Sequence, residues 1–219
     1  MNLKGRSFLT LLDFTPEEAL GLSFALLFGL AGDEQAKRVV QSAVTTKNGI
    51  PCLHPGFSRY DALGLGRHSG TVWPHAQAFW ADAAAPYDPG ALNHELTALT
   101  KNALREGFFS EIYHPETGLP YGGIQESGGH PHANWQSQPR QTWSATGYIR
   151  MVLFGLMGLS IGEDRVTLSP RNIDAVKRLK LSGLRWRDMT LDIEIGAGGF
   201  SGKTAEARHQ AGERVHISL

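Results

Sequence analysis

The sequence predicts a mainly α-helical fold, a ring of helical hairpins over residues 1–159, with a small antiparallel β appendage over residues 160–219. Three observations lead there. Segments that are apolar almost all round alternate with amphipathic ones, as expected if inner helices pair with outer ones. Cap-then-proline signals open several of these segments. Beyond Leu159 the pattern changes to strict alternation, the period of a strand.

The elements follow in order. Thr15-Pro16-Glu17-Glu18 has the form of a capping box with proline at the first helical position, so a helix is expected from Thr15 to about Leu30. Its residues Leu20, Leu22, Phe24, Leu26 and Phe28 leave no polar face. A second, amphipathic helix runs from Asp33 to about Ala43 and stops before Lys47-Asn48-Gly49. Gly49 to Gly70 is rich in Gly, Pro and His and reads as a long loop, a kind of segment that commonly carries function. A third helix is expected from Trp73 to Ala85 and a fourth from Asp88-Pro89 to Glu106. Phe109 to Arg140 reads as a second irregular loop because of Gly118, Gly122, Gly123, Gly128 and Gly129. A fifth, apolar helix spans Thr142 to Gly158. Strands are expected around Val166–Leu168, Leu179–Leu184, Leu191–Ile195 and Val215–Ile217, with turns at Ser169-Pro170 and Ser182-Gly183.

Composition narrows the function classes. Twenty-one basic residues balance twenty-one acidic ones, so no basic field invites nucleic acid or an anionic membrane, and a neutral or weakly charged partner fits better. The longest apolar run, Ala19–Ala31, is short of the roughly 20 residues that a membrane helix needs. The lone Cys52 excludes an internal disulfide and reads as a small buried hydrophobe. Lys4 and Arg6 precede a short apolar run that ends at Asp13 without a small-residue cleavage site, so no signal peptide is read and a cytoplasmic location is favoured.

The residues that could carry chemistry gather in the two loops and at the helix starts that follow them. Trp73, His75, Trp135 and Trp143 lie near Arg67, His68, Gln125, Gln138, Arg140 and Gln141 in this reading. Such a mixture suits a sugar, whose apolar faces stack on rings while its hydroxyls bond to amide, guanidinium and imidazole groups. The plainer alternative for each tryptophan is a core residue. Glu111 follows a helix end, where the dipole does not favour an acid, and lies beside aromatic residues. It is the candidate general base for glycoside hydrolysis, which also needs a carboxylic acid for the leaving oxygen. On residue statistics alone Glu111 would be a solvated surface carboxylate. Glu116 and Glu126 compete for the role; Glu126 also suits a hydroxyl-binding group. Asp61 and Asp82 are possible acid partners, Asp82 being expected to face outward. His130 and His132 lack a third ligand, a weak metal signal.

Three stretches together, HSGTVWPHAQAFWA (His68–Ala81), SEIYHPETG (Ser110–Gly118) and QTWSATGYIRMVLFGLMGL (Gln141–Leu159), resemble the six-hairpin glycosidases, a superfamily that includes glucoamylases, processing α-glucosidases and mannosylglycerate hydrolases. The resemblance implies a partial (α/α)6 toroid, and Glu111, Tyr113, Thr117, Gly118, Trp143 and Ser144 fall on that group's base-bearing segment and helix start. It implies inverting hydrolysis of a glycosidic bond in a small sugar or oligosaccharide. Glu111 would be the base, with Arg67, His68, Trp73, His75, Tyr113, Gln125, Glu126, Gln141 and Trp143 shaping the sugar site, and no metal or organic cofactor. Because a full barrel has twelve helices, the resemblance implies the C-terminal portion of a longer enzyme, its acid in the other half. Association with that half or with a second copy is the corresponding expectation. The competing readings are an inactive or carbohydrate-binding fragment and a related disaccharide phosphorylase.

Overall fold

The structure, a computed structural model, describes residues 16–127, 130–173, 176–196 and 204–219; the side chains of residues 126, 127 and 130–132 lie outside the described set. The chain divides into two compact units, Met1–Met151 and Val152–Leu219.

The first unit opens with a two-residue strand, β1 (Glu17–Glu18), followed by α1 (Ala19–Leu27) and α2 (Asp33–Ser42). The helix start expected at Thr15 moves to Ala19. Glu18 is the cap, its carboxylate accepting from the amides of Leu20 at 3.1 Å and Gly21 at 2.5 Å. Thr15 itself lies outside the described residues. Next come β2 (Leu53–His54), which pairs antiparallel with β1, and a 3-10 turn at Ser58–Tyr60. Helix α3 (Pro74–Ala84) starts on Pro74. Helix α4 (Pro89–Glu106) also starts on a proline, with Asp88 capping Gly90 N at 2.8 Å and Gly107 ending it.

The segment expected to be irregular contains a hairpin, β3 (Ile124–Ser127) with β4 (His130–Asn134). Helix α5 (Thr142–Arg150) is shorter than expected. From Met151 to Leu156 the backbone relaxes into a π-helical turn, with Met157 N donating to Val152 O five residues back.

Within the first unit α3 is the hub, and α1, α4 and α5 all pack against it. Its small face, Ala76, Ala83 and Ala84, lets neighbours approach, while Trp80 fills the space between them. Leu22, Leu26, Ala36, Val40, Ile50 and Ile112 complete this core. Asp82, expected to face outward, is buried on α3 and pairs with Arg150 of α5 at 2.5 Å.

The second unit is β-rich: β5 (Leu159–Ile161), β6 (Arg165–Leu168), β7 (Leu179–Trp186), β8 (Met189–Ile195), β9 (Ala205–Arg208) and β10 (Arg214–Ser218). They form two three-stranded sheets, ordered β5-β6-β9 and β10-β8-β7. Strand β8 shows the alternation most clearly, with Met189, Leu191, Ile193 and Ile195 buried between polar neighbours. The appendage is not purely antiparallel, since β10 runs parallel to β8. Nor do Ser182-Gly183 form a turn; they make a bulge within β7, and the chain reverses at Arg187-Asp188.

Together these findings correct the expected fold class. The described residues form a mixed α/β structure with five helices and ten strands in four sheets, about 35% helix and 25% strand, and not a mainly-α toroid or part of an (α/α)6 barrel. The physical reason is visible in the elements. Of the two hairpins expected, α3 does pack against α4, but α2 makes none of the main helix–helix contacts, and α1 and α5 both lie against α3. Parts of the glycine-rich segments, β2, β3 and β4, and much of the described C-terminal third meanwhile pair their backbone groups in strands.

Candidate functional site

Backbone bonding between two distant segments builds the site in the first unit. Val72 and Tyr113 exchange both main-chain hydrogen bonds, at 3.0 and 2.9 Å. Ile124 N donates to Leu65 O at 2.9 Å, and Arg67 N to Ile124 O at 2.8 Å. The loop of residues 64–72 is thereby laced to residues 111–124, which brings Arg67 onto Glu111 across 44 positions of sequence. Gly123 permits the approach, because a Cβ there would stand 2.5 Å from Arg67 Cα and 2.7 Å from Arg67 N.

Glu111 is 4% exposed. Its Oε1 accepts from Arg67 Nη2 at 2.6 Å, and its Oε2 accepts from the Gln138 amide at 3.2 Å. The backbone ties the same two residues, with Glu111 N donating to Gln138 O at 2.8 Å. The second Arg67 nitrogen donates to Gly122 O at 3.0 Å. Its guanidinium carbon lies 5.2 Å from the Trp73 ring centroid and 5.7 Å from that of Trp135. Arg67 is thus fixed by two hydrogen bonds and two ring faces.

A cluster of four rings continues from the pair. His68 stacks on Trp73 at 4.8 Å and 17°. Trp73 meets His75 edge-on at 5.5 Å and lies 6.3 Å from Trp143, and His75 meets Trp143 at 5.9 Å. Trp73 is buried, with Nε1 donating to Arg67 O at 2.9 Å and lying 3.1 Å from Thr71 Oγ1. Trp143 and Trp135 are the exposed members, at 42% and 45%. Burial pushes both imidazoles below the ordinary histidine value, with a further contribution from Arg67 at His68 and from His68 at His75. Both are therefore neutral near pH 7.

His68 also lines a pocket of about 230 Å3, with Phe57, Arg59, Tyr60, Arg67, Ser69, Ile124 and Gln125. Gln125 thus shares a wall with Arg67 and His68. Tyr113 stands apart, fully buried, with its hydroxyl accepting from Ser110 N at 2.8 Å; it closes the turn that presents Glu111. Burial raises its phenol above the usual value. Gln141 is the N-cap of α5, its Oε1 accepting from Thr142 N at 3.1 Å, and so orients the helix that carries Trp143. The side chains of Glu126, His130 and His132 lie outside the described set. Glu116 and Asp61 are exposed, and the ion pair with Arg150 occupies Asp82. Among the described residues no group of three or more His, Cys, Asp or Glu could hold a metal ion.

Sequence reasoning missed the Arg67–Glu111 pair. The sequence marks Arg67 as a pocket residue and Glu111 as a candidate base, and no local spacing signals that the two pair across 44 residues. The two-glycine step at Gly122-Gly123 was the available clue, since it marks a close backbone approach. Among the described residues, no helix is long and apolar enough to cross a membrane. Neither a sequence-family model nor a curated protein matches the chain. With the mixed fold, that overturns the assignment to the six-hairpin glycosidases.

Proposed function

We propose that the first unit binds a saccharide on the Trp73–His75–Trp143 cluster and hydrolyses a glycosidic bond with inversion, Glu111 taking the proton from the attacking water. One observation carries this reading. A nearly buried carboxylate is paired with an arginine that lies over Trp73 and Trp135, and among the described residues its Oε2 is engaged by one amide donor, at 3.2 Å. A carboxylate oxygen accepts two hydrogen bonds, so Oε2 retains a site for water while Arg67 fixes the other oxygen. The leaving oxygen requires a second carboxylic acid about 6.5–9.5 Å from the base. That acid is not among the groups bonded to Arg67 or Glu111.

The Arg67 contact also favours a second reading, saccharide binding without turnover. A carboxylate neutralised by an arginine orients sugar hydroxyls well. The Glu111→Gln variant, assayed beside the parent for release of reducing ends and for binding by calorimetry, separates the two. Hydrolysis lost with binding retained supports the base. A parent that binds and releases nothing supports the binding reading, and a parent that binds no saccharide overturns both.

Self-association is part of the same proposal, although the open ring that first suggested it is not observed. Its support is the exposure of Leu104 (78%) and Ile149 (53%), with an apolar hollow formed by Ala103, Leu104, Phe108, Phe109 and Tyr148 close to Leu104. Sedimentation velocity over a range of concentrations tests it; a single monomeric boundary throughout would remove it.

A further inference from the structure

The C-terminal half of α4, the Phe108-Phe109 segment and α5 surround an apolar hollow of about 340 Å3, lined chiefly by Thr100, Ala103, Leu104, Phe108, Phe109 and Tyr148. Thr100, Ala103 and Leu104 recur at helical spacing, so one face of α4 forms its floor. The rings of Phe109 and Tyr148 meet at 5.3 Å and 42° and make a corner of its wall. The two hydroxyls of the lining answer each other, because Thr100 Oγ1 donates to Leu96 O at 2.7 Å and lies 3.1 Å from the Tyr148 hydroxyl. An apolar group can therefore enter without stranding a polar one. The volume is at the small end of the roughly 300–1,000 Å3 of small-molecule pockets, which suits one ring or a short acyl chain. The rim is cationic. The Arg140 guanidinium carbon lies 5.5 Å from the Phe108 centroid, and Lys101 is exposed on α4 one turn before Leu104. Neither cation is ion-paired among the described residues. Glu106, the one carboxylate in the last two turns of α4, is bonded by Arg105 at 2.8 Å.

We infer that this hollow binds a small apolar anion, an aromatic or short-chain carboxylate, with its apolar body against Phe108, Phe109 and Tyr148 and its charge toward Arg140 and Lys101. Charge complementarity selects this class. Acidic and basic residues are equal in number over the whole chain, yet two uncompensated cations stand at the edge of this one apolar depression. The expectation of a neutral partner, drawn from net charge, does not hold at this rim. The inference is independent of the saccharide reading, whose residues lie elsewhere in the first unit. A ligand seated here covers part of the apolar surface that supports self-association, so the two compete for it.

Calorimetric titration of the full chain with 4-phenylbutyrate, 4-phenylbutyramide and 4-phenylbutylamine tests it, since the three share a ring and chain and differ in charge. At low salt the carboxylate should bind about three- to tenfold tighter than the amide, and the amine most weakly. Added salt should shrink that preference. Arg140→Gln and Lys101→Gln should each reduce it and together remove it, whereas Leu104→Ser should weaken all three ligands alike. These three positions are exposed, so the circular dichroism spectrum of each variant should match that of the parent. In sedimentation velocity, saturating 4-phenylbutyrate should shift any associated species toward monomer. Equal affinity for the three ligands, a carboxylate preference that survives the Arg140→Gln/Lys101→Gln double variant, or no binding of 4-phenylbutyrate overturns the inference. Self-association lost in Leu104→Ser, with none of the three ligands bound by the parent, would assign the hollow to a second copy and overturn it equally. None of these ligands is a sugar, so a failure here leaves the saccharide reading standing, and a failure of that reading leaves this one.

Discussion

Removing the guanidinium of Arg67 should be among the most damaging single changes to the first unit. In Arg67→Met the methionine retains much of the packing on Trp73 and Trp135, but Glu111 keeps only the Gln138 amide at 3.2 Å for a carboxylate that is 4% exposed. Breaking one side of a buried pair costs about 3–5 kcal/mol, because it leaves a desolvated charge behind. The Arg67 and Glu111 side chains are 12% and 6% exposed, so screening reduces this only modestly, and a loss of about 3 kcal/mol is expected. For a chain of this size that lowers the melting temperature by roughly 6–12 °C. Glu111→Gln should cost less, about 1–3 kcal/mol, because the amide oxygen still accepts from Arg67. The double variant Arg67→Met/Glu111→Gln should recover part of the sum, giving a coupling of about 1–3 kcal/mol. Urea denaturation followed by tryptophan fluorescence reports on this unit through Trp73, Trp80, Trp135 and Trp143. An Arg67→Met loss below about 1 kcal/mol, or additive single changes, would refute the claim that the pair is tightly coupled and desolvated.

Three further outcomes follow from the same geometry. Gly118 and Gly107 both have positive φ, +69° and +73°, but a Cβ at Gly118 would overlap the side-chain oxygen of Asn48 and lie 2.5 Å from that of Asn102, whereas at Gly107 it meets nothing within 4 Å. Gly107→Ala should therefore cost about 1–2 kcal/mol and Gly118→Ala about 2–4 kcal/mol or more in urea titrations; equal costs would show that the buried amides yield freely. Burial raises the Cys52 thiol to about 11, so alkylation by iodoacetamide at pH 8 should be far slower than for a free cysteine, and rapid labelling of folded protein would contradict the packing against Thr71. His94 is held above its ordinary value, chiefly by its hydrogen bond to buried Glu95 at 3.3 Å. Its contribution to stability is complete below about pH 6.5, the unfolded value, and is lost as pH rises through the raised folded value; His94→Gln should flatten stability across that window.

How much of this was legible in the sequence depended on how local each determinant was. Helices α2, α3 and α4 fall within a residue or so of expectation, because Asp33 and Glu34 open α2 and proline at the first position opens α3 and α4, with Asp88 as the cap of α4, all acting on adjacent backbone groups. The strands β6, β8 and β10 were visible through alternation. The hairpin β3–β4 was not, since Ile124-Gln125-Glu126-Ser127 carries no apolar period and its pairing is set by the backbone. Nor was the hub role of α3, which depends on small residues that fit several partners equally well. At the site, the rings on His68, Trp73, His75 and Trp143 lie within eight residues of one another apart from Trp143, and their chemistry could be read directly. The pairing of Arg67 with Glu111, and of Asp82 with Arg150, required the tertiary fold. Motif likeness over three short stretches did not survive the architecture, because such stretches constrain a helix start and a turn without constraining how helices pack.

The proposed saccharide site is tested most directly by following the indole N–H resonances of the five tryptophans in 15N-labelled protein during titration with a sugar. The structure predicts that Trp143, exposed in the ring cluster, shifts most, and that Trp73, whose Nε1 donates to Arg67 O, follows. Trp80, enclosed in the core, and Trp186, in the second unit, should stay in place. Shifts confined to Trp186, or no shift at Trp143 with any sugar that binds, would contradict the account.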